Sequence, residues 1–94
     1  MSGDVRDNPD RSRFELEIDG QIVRADYQRR GASVIITHVE APVPLRGTGA
    51  ADRLMRGIVA MAEQEDWQLV PVCGYAAAWL RHYARRRERR GDRQ

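Results

Sequence analysis

The residues best suited to chemistry are Arg46-Gly47-Thr48-Gly49-Ala50-Ala51, set between a β-type run that ends at Glu40 and an amphipathic helix over about 50–65. A strand, a glycine-bearing turn and a helix N-terminus together make a site for phosphate. First-turn N–H groups have no intrahelical partner, and the helix dipole adds partial positive charge where they converge. Gly47 and Gly49 let the backbone turn tightly and approach a ligand without a Cβ in the way. Arg46 adds a permanent cation whose forked donors match phosphate oxygens. The P-loop is excluded, because no Gly-Lys-Ser/Thr follows and the chain has no lysine. The dinucleotide fingerprint also fails, since a third glycine at the right offset is missing.

Cys73 is the second candidate. It is either a small core residue after a buried strand or a nucleophile placed just before a helix, where the dipole and free N–H groups stabilise a thiolate. His38 and Glu40 can each accept a proton from an incoming ammonium. Simple alternation places both on the face of Val34 and Ile36, and the plain alternatives are a hydrogen-bonded strand histidine and a solvated strand end. Tyr83 is either a proton donor or part of an apolar stripe with Trp79. One cysteine and two distant histidines match no metal-ligand spacing.

The elements that must position these groups follow from the pattern. Phe14, Leu16 and Ile18 alternate with Glu15 and Glu17, as in a half-buried strand. Asp19-Gly20 is a two-residue hairpin signal, and a second strand follows over 21–28. Arg29-Arg30-Gly31 makes the next turn and 32–40 the third strand. Pro42 and Pro44 then end strand pairing. The first helix gathers Ala51, Leu54, Met55, Ile58, Val59 and Ala62 on one face, with Asp52, Arg53, Arg56 and Glu63 opposite. Gly57 costs that helix about 1 kcal/mol against alanine, which points to close packing on the sheet. Residues 69–72 read as a short buried strand, making a βαβ unit with a parallel pair. A last helix begins near Tyr75 and buries Tyr75 or Ala76 with Trp79, Leu80 and Tyr83.

Composition sets the limits. Ninety-four residues make one domain with a modest core. A large ligand must therefore lie along a shallow groove, unless a homodimer rather than a monomer completes the site. Residues 1–12 read as a disordered lead, 13–84 as the domain and 85–94 as a solvated basic tail. That tail attracts polyanions, nucleic acid included, only through weak, salt-sensitive contacts. A sequence-reading nucleic-acid role is disfavoured, because aromatics do not interleave with the arginines. The lone cysteine excludes an internal disulfide, no apolar run approaches the ~20 residues of a membrane span, and the polar start lacks a signal-peptide segment. A cytoplasmic location is the simplest expectation.

Read from Arg46 through Gly49 to Ala51, the loop is Arg-x-x-Gly-x-Ala. This resembles the Arg/Gln-x-x-Gly-x-Gly/Ala signature of the GNAT superfamily of N-acetyltransferases. Residues 69–82, with Pro71-Val72-Cys73 and the segment after it, resemble the Pro-x-Cys strand end and helix of its small stand-alone members. Thr37-His38-Val39-Glu40 fits the same pattern, so the resemblance covers about 14–83. It departs from the group at Trp79 and at His82-Tyr83-Ala84. The resemblance implies a GNAT-like α/β fold: an antiparallel meander leading into a βαβ unit, in a mixed sheet with two main helices. It implies acetyl-CoA as cofactor, with the pyrophosphate held by Arg46, Gly47, Thr48, Gly49, Ala50 and Ala51. Cys73 would be nucleophile or pocket wall, His38 the base, and the acceptor an unspecified amine. The alternative is a non-catalytic acyl-CoA-binding module.

Overall fold

Asp19 and Gly20 both take positive φ, 52° and 78°, and this tight turn starts the sheet. A computed structural model describes residues 5–92, with side chains described as far as residue 86. Its strands are β1 (Val5–Asn8), β2 (Arg13–Ile18), β3 (Gln21–Arg30), β4 (Ser33–Glu40) and β5 (Gln68–Pro71). Helix α1 (Ala50–Glu65) joins β4 to β5, and α2 (Gly74–Asp92) follows β5. The strands lie in chain order, antiparallel up to β4, and β4 pairs with β5 in parallel. This is the expected meander feeding a βαβ unit. The second turn begins two residues later than the arginine pair suggests: Arg29 and Arg30 stay in β3, and Gly31 turns at φ 58°.

One sheet face carries the core. Phe14, Leu16, Val23, Ala25, Tyr27, Val34 and Ile36 are buried there under Leu54, Met55 and Ile58 of α1 and Ala76 of α2. Both helices share that single cluster, so they cover the same side.

The disordered lead expected over residues 1–12 is corrected for residues 5–12, and residues 1–4 lie outside the described residues. Val5–Asn8 pairs with β2, and a 3-10 turn over Pro9–Arg11 returns the chain. A four-residue strand with one apolar side chain has no periodicity to read. Its anchors are polar and lie elsewhere in the sequence. The Tyr27 hydroxyl donates to Asp7 Oδ1 at 2.5 Å, and burial followed by that carboxylate pushes its pKa up to about 12. Glu15, only 4 % exposed, accepts from Arg6 (3.1 Å), Asn8 (3.2 Å) and Arg13 (2.6 Å). Two of these three donors come from β1.

The Arg6–Glu15 pair belongs to a ladder on the face away from the helices. Arg6 pairs with Glu15, Glu15 with Arg24, and Arg24 with Glu40, alternating in sign across four strands. Opposite charges directly across a sheet stabilise it, and here they keep that face polar.

The basic tail is corrected as well: α2 continues through Asp92, while residues 93–94 lie outside the described residues. The apolar stripe ends at Tyr83, but arginine and glutamate are good helix formers and cations suit a helix C-terminus.

Two predictions follow from this packing. A Cβ at Gly57 would meet Val5 Cγ2 at 2.3 Å and Cβ at 2.7 Å, and a β-branched side chain cannot swing aside. Gly57→Ala should therefore lose about 1–3 kcal/mol in urea denaturation despite its better helix propensity, and Val5→Ala, which removes Cγ2 but keeps the Cβ, should recover part of it. An additive double variant would show that β1 does not lie under α1. Secondly, the Arg13 hydrogen bond, against the opposing effect of burial, holds the Glu15 carboxyl below its usual range. Its stabilising contribution is fully present above the unfolded pKa of about 4.3 and is lost as pH falls through the lower folded value. Glu15→Gln should flatten the acid limb of the stability curve, and an unchanged slope would refute the assignment.

Candidate functional site

The site begins where β4 and β5 part. They pair from Ser33↔Gln68 to Ile36↔Pro71 and then separate. The last link is the Ile36 carbonyl, which accepts both the Val72 N–H at 2.9 Å and the Cys73 N–H at 3.2 Å. On the other edge of β4, register against β3 shifts between Asp26 and Tyr27: Tyr27 faces Ile36, while Asp26 faces His38. Thr37 is thus an extra residue, a β-bulge.

The bulge corrects the expected facing of His38 and Glu40. Because side chains alternate with period 2, one inserted residue moves everything beyond it to the opposite face. Val39, opposite buried Ala25, packs on the core, whereas His38 and Glu40 turn to the charged face. There, His38 Nε2 lies 3.0 Å from Glu40 Oε1, and Arg24 approaches the same oxygen at 3.5 Å. The His38 hydrogen bond, then Arg24, hold the Glu40 carboxyl below its ordinary range. Glu40 orients the imidazole, and both groups remain open to solvent.

After Glu40 the chain makes a 3-10 turn over Val43–Leu45 and buries Leu45. Arg46 is exposed and donates from Nε to the Ala41 carbonyl at 3.0 Å, closing the loop on itself. Its positive charge also acts on the Glu40 carboxylate. Thr48 donates its hydroxyl to the Leu45 carbonyl at 2.5 Å, so this side chain fixes the turn. Gly47 and Gly49 sit at φ 78° and 85°, with nothing within 4 Å of where a Cβ would lie. Gly49 is the N-cap of α1 and supplies no side-chain cap, and the first helical bond is Arg53 N–H to the Gly49 carbonyl. The N–H groups of Ala50, Ala51 and Asp52 therefore precede any intrahelical acceptor. Positive φ, open space and uncapped donors form a cradle that fits a phosphate group.

Cys73 immediately precedes α2. Its carbonyl accepts the Ala77 N–H at 2.9 Å, which makes it the residue that starts the helix, and its side chain is half-buried against the core. It packs on the helix side of the sheet, whereas His38 lies on the charged side, and both come after the last β4–β5 link at Ile36. Val72 and Tyr75 beside it are exposed, 66 % and 42 %, while Ala76 takes the buried position. Burial, then the charges of Asp52 and Cys73, raise the Tyr75 pKa, so the N-terminal turns of the two helices are in electrostatic reach. Tyr83 lies further down α2. It stacks on Trp79 (5.3 Å, 14°) and lines a groove of about 600 Å³ with Val59, Ala62, Trp67, Leu69 and Leu80, along the C-terminal half of α1.

One contact was not legible in the pattern. Asp52, on the polar side of α1 by periodicity, accepts from Trp79 Nε1 at 2.7 Å and from Arg56 Nε at 2.8 Å. Burial alone would push its carboxyl up, but these two hydrogen bonds, together with the charges of Arg56 and Arg86, hold the group below its usual range. The signal was a tryptophan on an apolar stripe, whose indole N–H needs an acceptor. Among the described residues no cluster of His, Cys, Asp or Glu could hold a metal ion, and no helix is long and apolar enough to cross a membrane.

A family model described as GCN5-related N-acetyl-transferase matches residues 13–88. That is most of the chain, and it includes the bulge, the cradle and Cys73. The chain belongs to this family. A search of curated proteins returned no match.

The bulge has a stability consequence. Val39→Ala, on the core face, should cost about 1 kcal/mol, whereas His38→Ala should stay within about 0.5 kcal/mol of the parent in chemical denaturation. The reverse ranking would restore simple alternation and remove the bulge.

Proposed function

We propose that this GCN5-related N-acetyltransferase takes acetyl from acetyl-CoA and delivers it to an amine at the gap between β4 and β5. The observation that carries this reading is the N-terminus of α1, without a side-chain cap and with open space over Gly47 and Gly49, on a helix whose Asp52 is bonded to Trp79 of α2. The pyrophosphate of CoA would lie on the backbone N–H groups of Gly47, Gly49, Ala50 and Ala51. The terminal nitrogens of Arg46 would add charge-assisted contacts, and Thr48 would hold the loop in shape.

The donor supplies a thioester, already reactive toward amines. The protein's task is therefore chiefly to hold the two reactants together, which contributes about 7–11 kcal/mol when the geometry is good. His38, oriented by Glu40, takes the proton that the ammonium must lose before its lone pair can attack. Cys73 lines the acyl end of the gap. In the two-step variant its sulfur bonds to the acetyl carbon as the bond to the CoA sulfur breaks, and the amine then displaces Cys73.

Titration calorimetry with acetyl-CoA, followed by intact-mass measurement for an added acetyl group, tests the reading. Arg46→Ala should weaken binding by about 1.5–3 kcal/mol, and Gly49→Val, strained at positive φ and filling the cradle, should abolish it. Cys73→Ser should remove any acetyl adduct, and CoA should protect Cys73 from iodoacetamide. No heat at millimolar acetyl-CoA would sink the assignment. Binding without turnover on any amine would instead leave an acyl-CoA-binding module.

A further inference from the structure

An acidic residue at the third position of a helix ordinarily reaches back to the N-cap backbone N–H, the returning half of a capping box. Asp52 holds that position in α1, and Gly49 at the cap offers no side chain of its own. Self-capping would place a carboxylate in the cradle. Instead both carboxylate oxygens are drawn elsewhere: Oδ1 takes the Trp79 indole N–H at 2.7 Å and Oδ2 takes Arg56 Nε at 2.8 Å. Arg56 sits one turn on and is largely exposed, so it holds weakly. Trp79 is the firmer hold, since it is half-buried against the core and stacked on Tyr83.

We infer that Trp79, with Arg56, is a positioning residue that keeps the Asp52 carboxylate off the α1 N-terminus, so that these donors stay free for the ligand's phosphates. Asp52 is then a built-in competitor held away from the site. The inference rests on the proposed CoA reading, because it concerns which anion occupies the loop. It gives Trp79 a part in binding although it lies on α2, six residues beyond Cys73 and outside the loop.

The alternative is that the bond between Asp52 and Trp79 merely ties the two helices together. The two ideas diverge when the carboxylate itself is removed. If the bond is only a tie, Asp52→Ala and Trp79→Phe weaken CoA binding alike, and the double variant binds no better than either. If Asp52 is a restrained competitor, Trp79→Phe weakens CoA binding about fivefold, the size of one N-cap interaction. Asp52→Ala then binds at least as tightly as the parent, and Trp79→Phe/Asp52→Ala returns to the Asp52→Ala value.

The experiment is calorimetry of full-length protein with CoA for these four forms, each checked for a parent-like melting curve. Arg56→Gln, at an exposed position, opens only the second contact and serves the same purpose if Trp79→Phe fails to fold. It too should weaken CoA binding, and adding Asp52→Ala should restore it. A parent that binds no CoA would overturn the site reading itself. A parent that binds, with single variants that Asp52→Ala does not rescue, would overturn only the role given to Trp79.

Discussion

The carbonyl of Ile36 is the point from which the rest of the site is laid out. It is the last acceptor joining β4 to β5, and it takes two N–H groups, those of Val72 and Cys73. Below it the strands run as a parallel pair. Beyond it β4 continues to Glu40 while β5 ends and the chain enters α2. Two consequences follow at once. Cys73 is fixed at a helix start by its own backbone, whatever its side chain does. The segment of β4 after Ile36 has lost its partner on one side, and the bulge at Thr37 redirects its side chains on the other. A sheet that stayed paired to its end would have no gap for a ligand.

With two α-helices among the described residues, both on one side of the sheet, few elements fix that gap. The two helices meet the core through one shared cluster, and their N-terminal turns are further joined by the bond from Trp79 to Asp52. The face without helices is held by charge. Glu15 collects three donors at almost no exposure, and the alternating pairs extend to Glu40, which in turn orients His38. The structural ladder therefore ends beside His38, the base of the proposed reaction. One network serves stability along β1 to β3 and orientation at β4.

Much of this was legible in the sequence, and the reasons are local. Asp19-Gly20 has one common backbone solution, Pro42 and Pro44 can only end pairing, and the apolar spacing of α1 defines its buried face. Gly57 was a cost without a local reason, and it proved to mark the approach of Val5. Within the family signature around Arg46 and Cys73, Gly47 and Gly49 are the types that the backbone itself requires, at φ 78° and 85°. What escaped were features encoded by pairs of distant residues. Residues 5–8 have no apolar rhythm, and their place is set by Tyr27 and Glu15. The bulge at Thr37 leaves no local mark, because Thr-His-Val-Glu alternates as well with it as without it, and only the register against β3 discloses it. Asp52 looked like a solvated helix residue because its main partner lies on another helix.

The central claim is that a CoA pyrophosphate rests on the α1 N-terminus beside the start of α2. Amide chemical shifts from a nitrogen-15 spectrum, recorded as CoA is added, test it most directly, since they report on the very N–H groups invoked. The account predicts the largest movements at Gly47, Gly49, Ala50 and Ala51, with a second, smaller set at Cys73 and Gly74, and little change in β1 or β2. Movements centred on the groove by Trp67 and Tyr83, or none at saturating CoA, would contradict it.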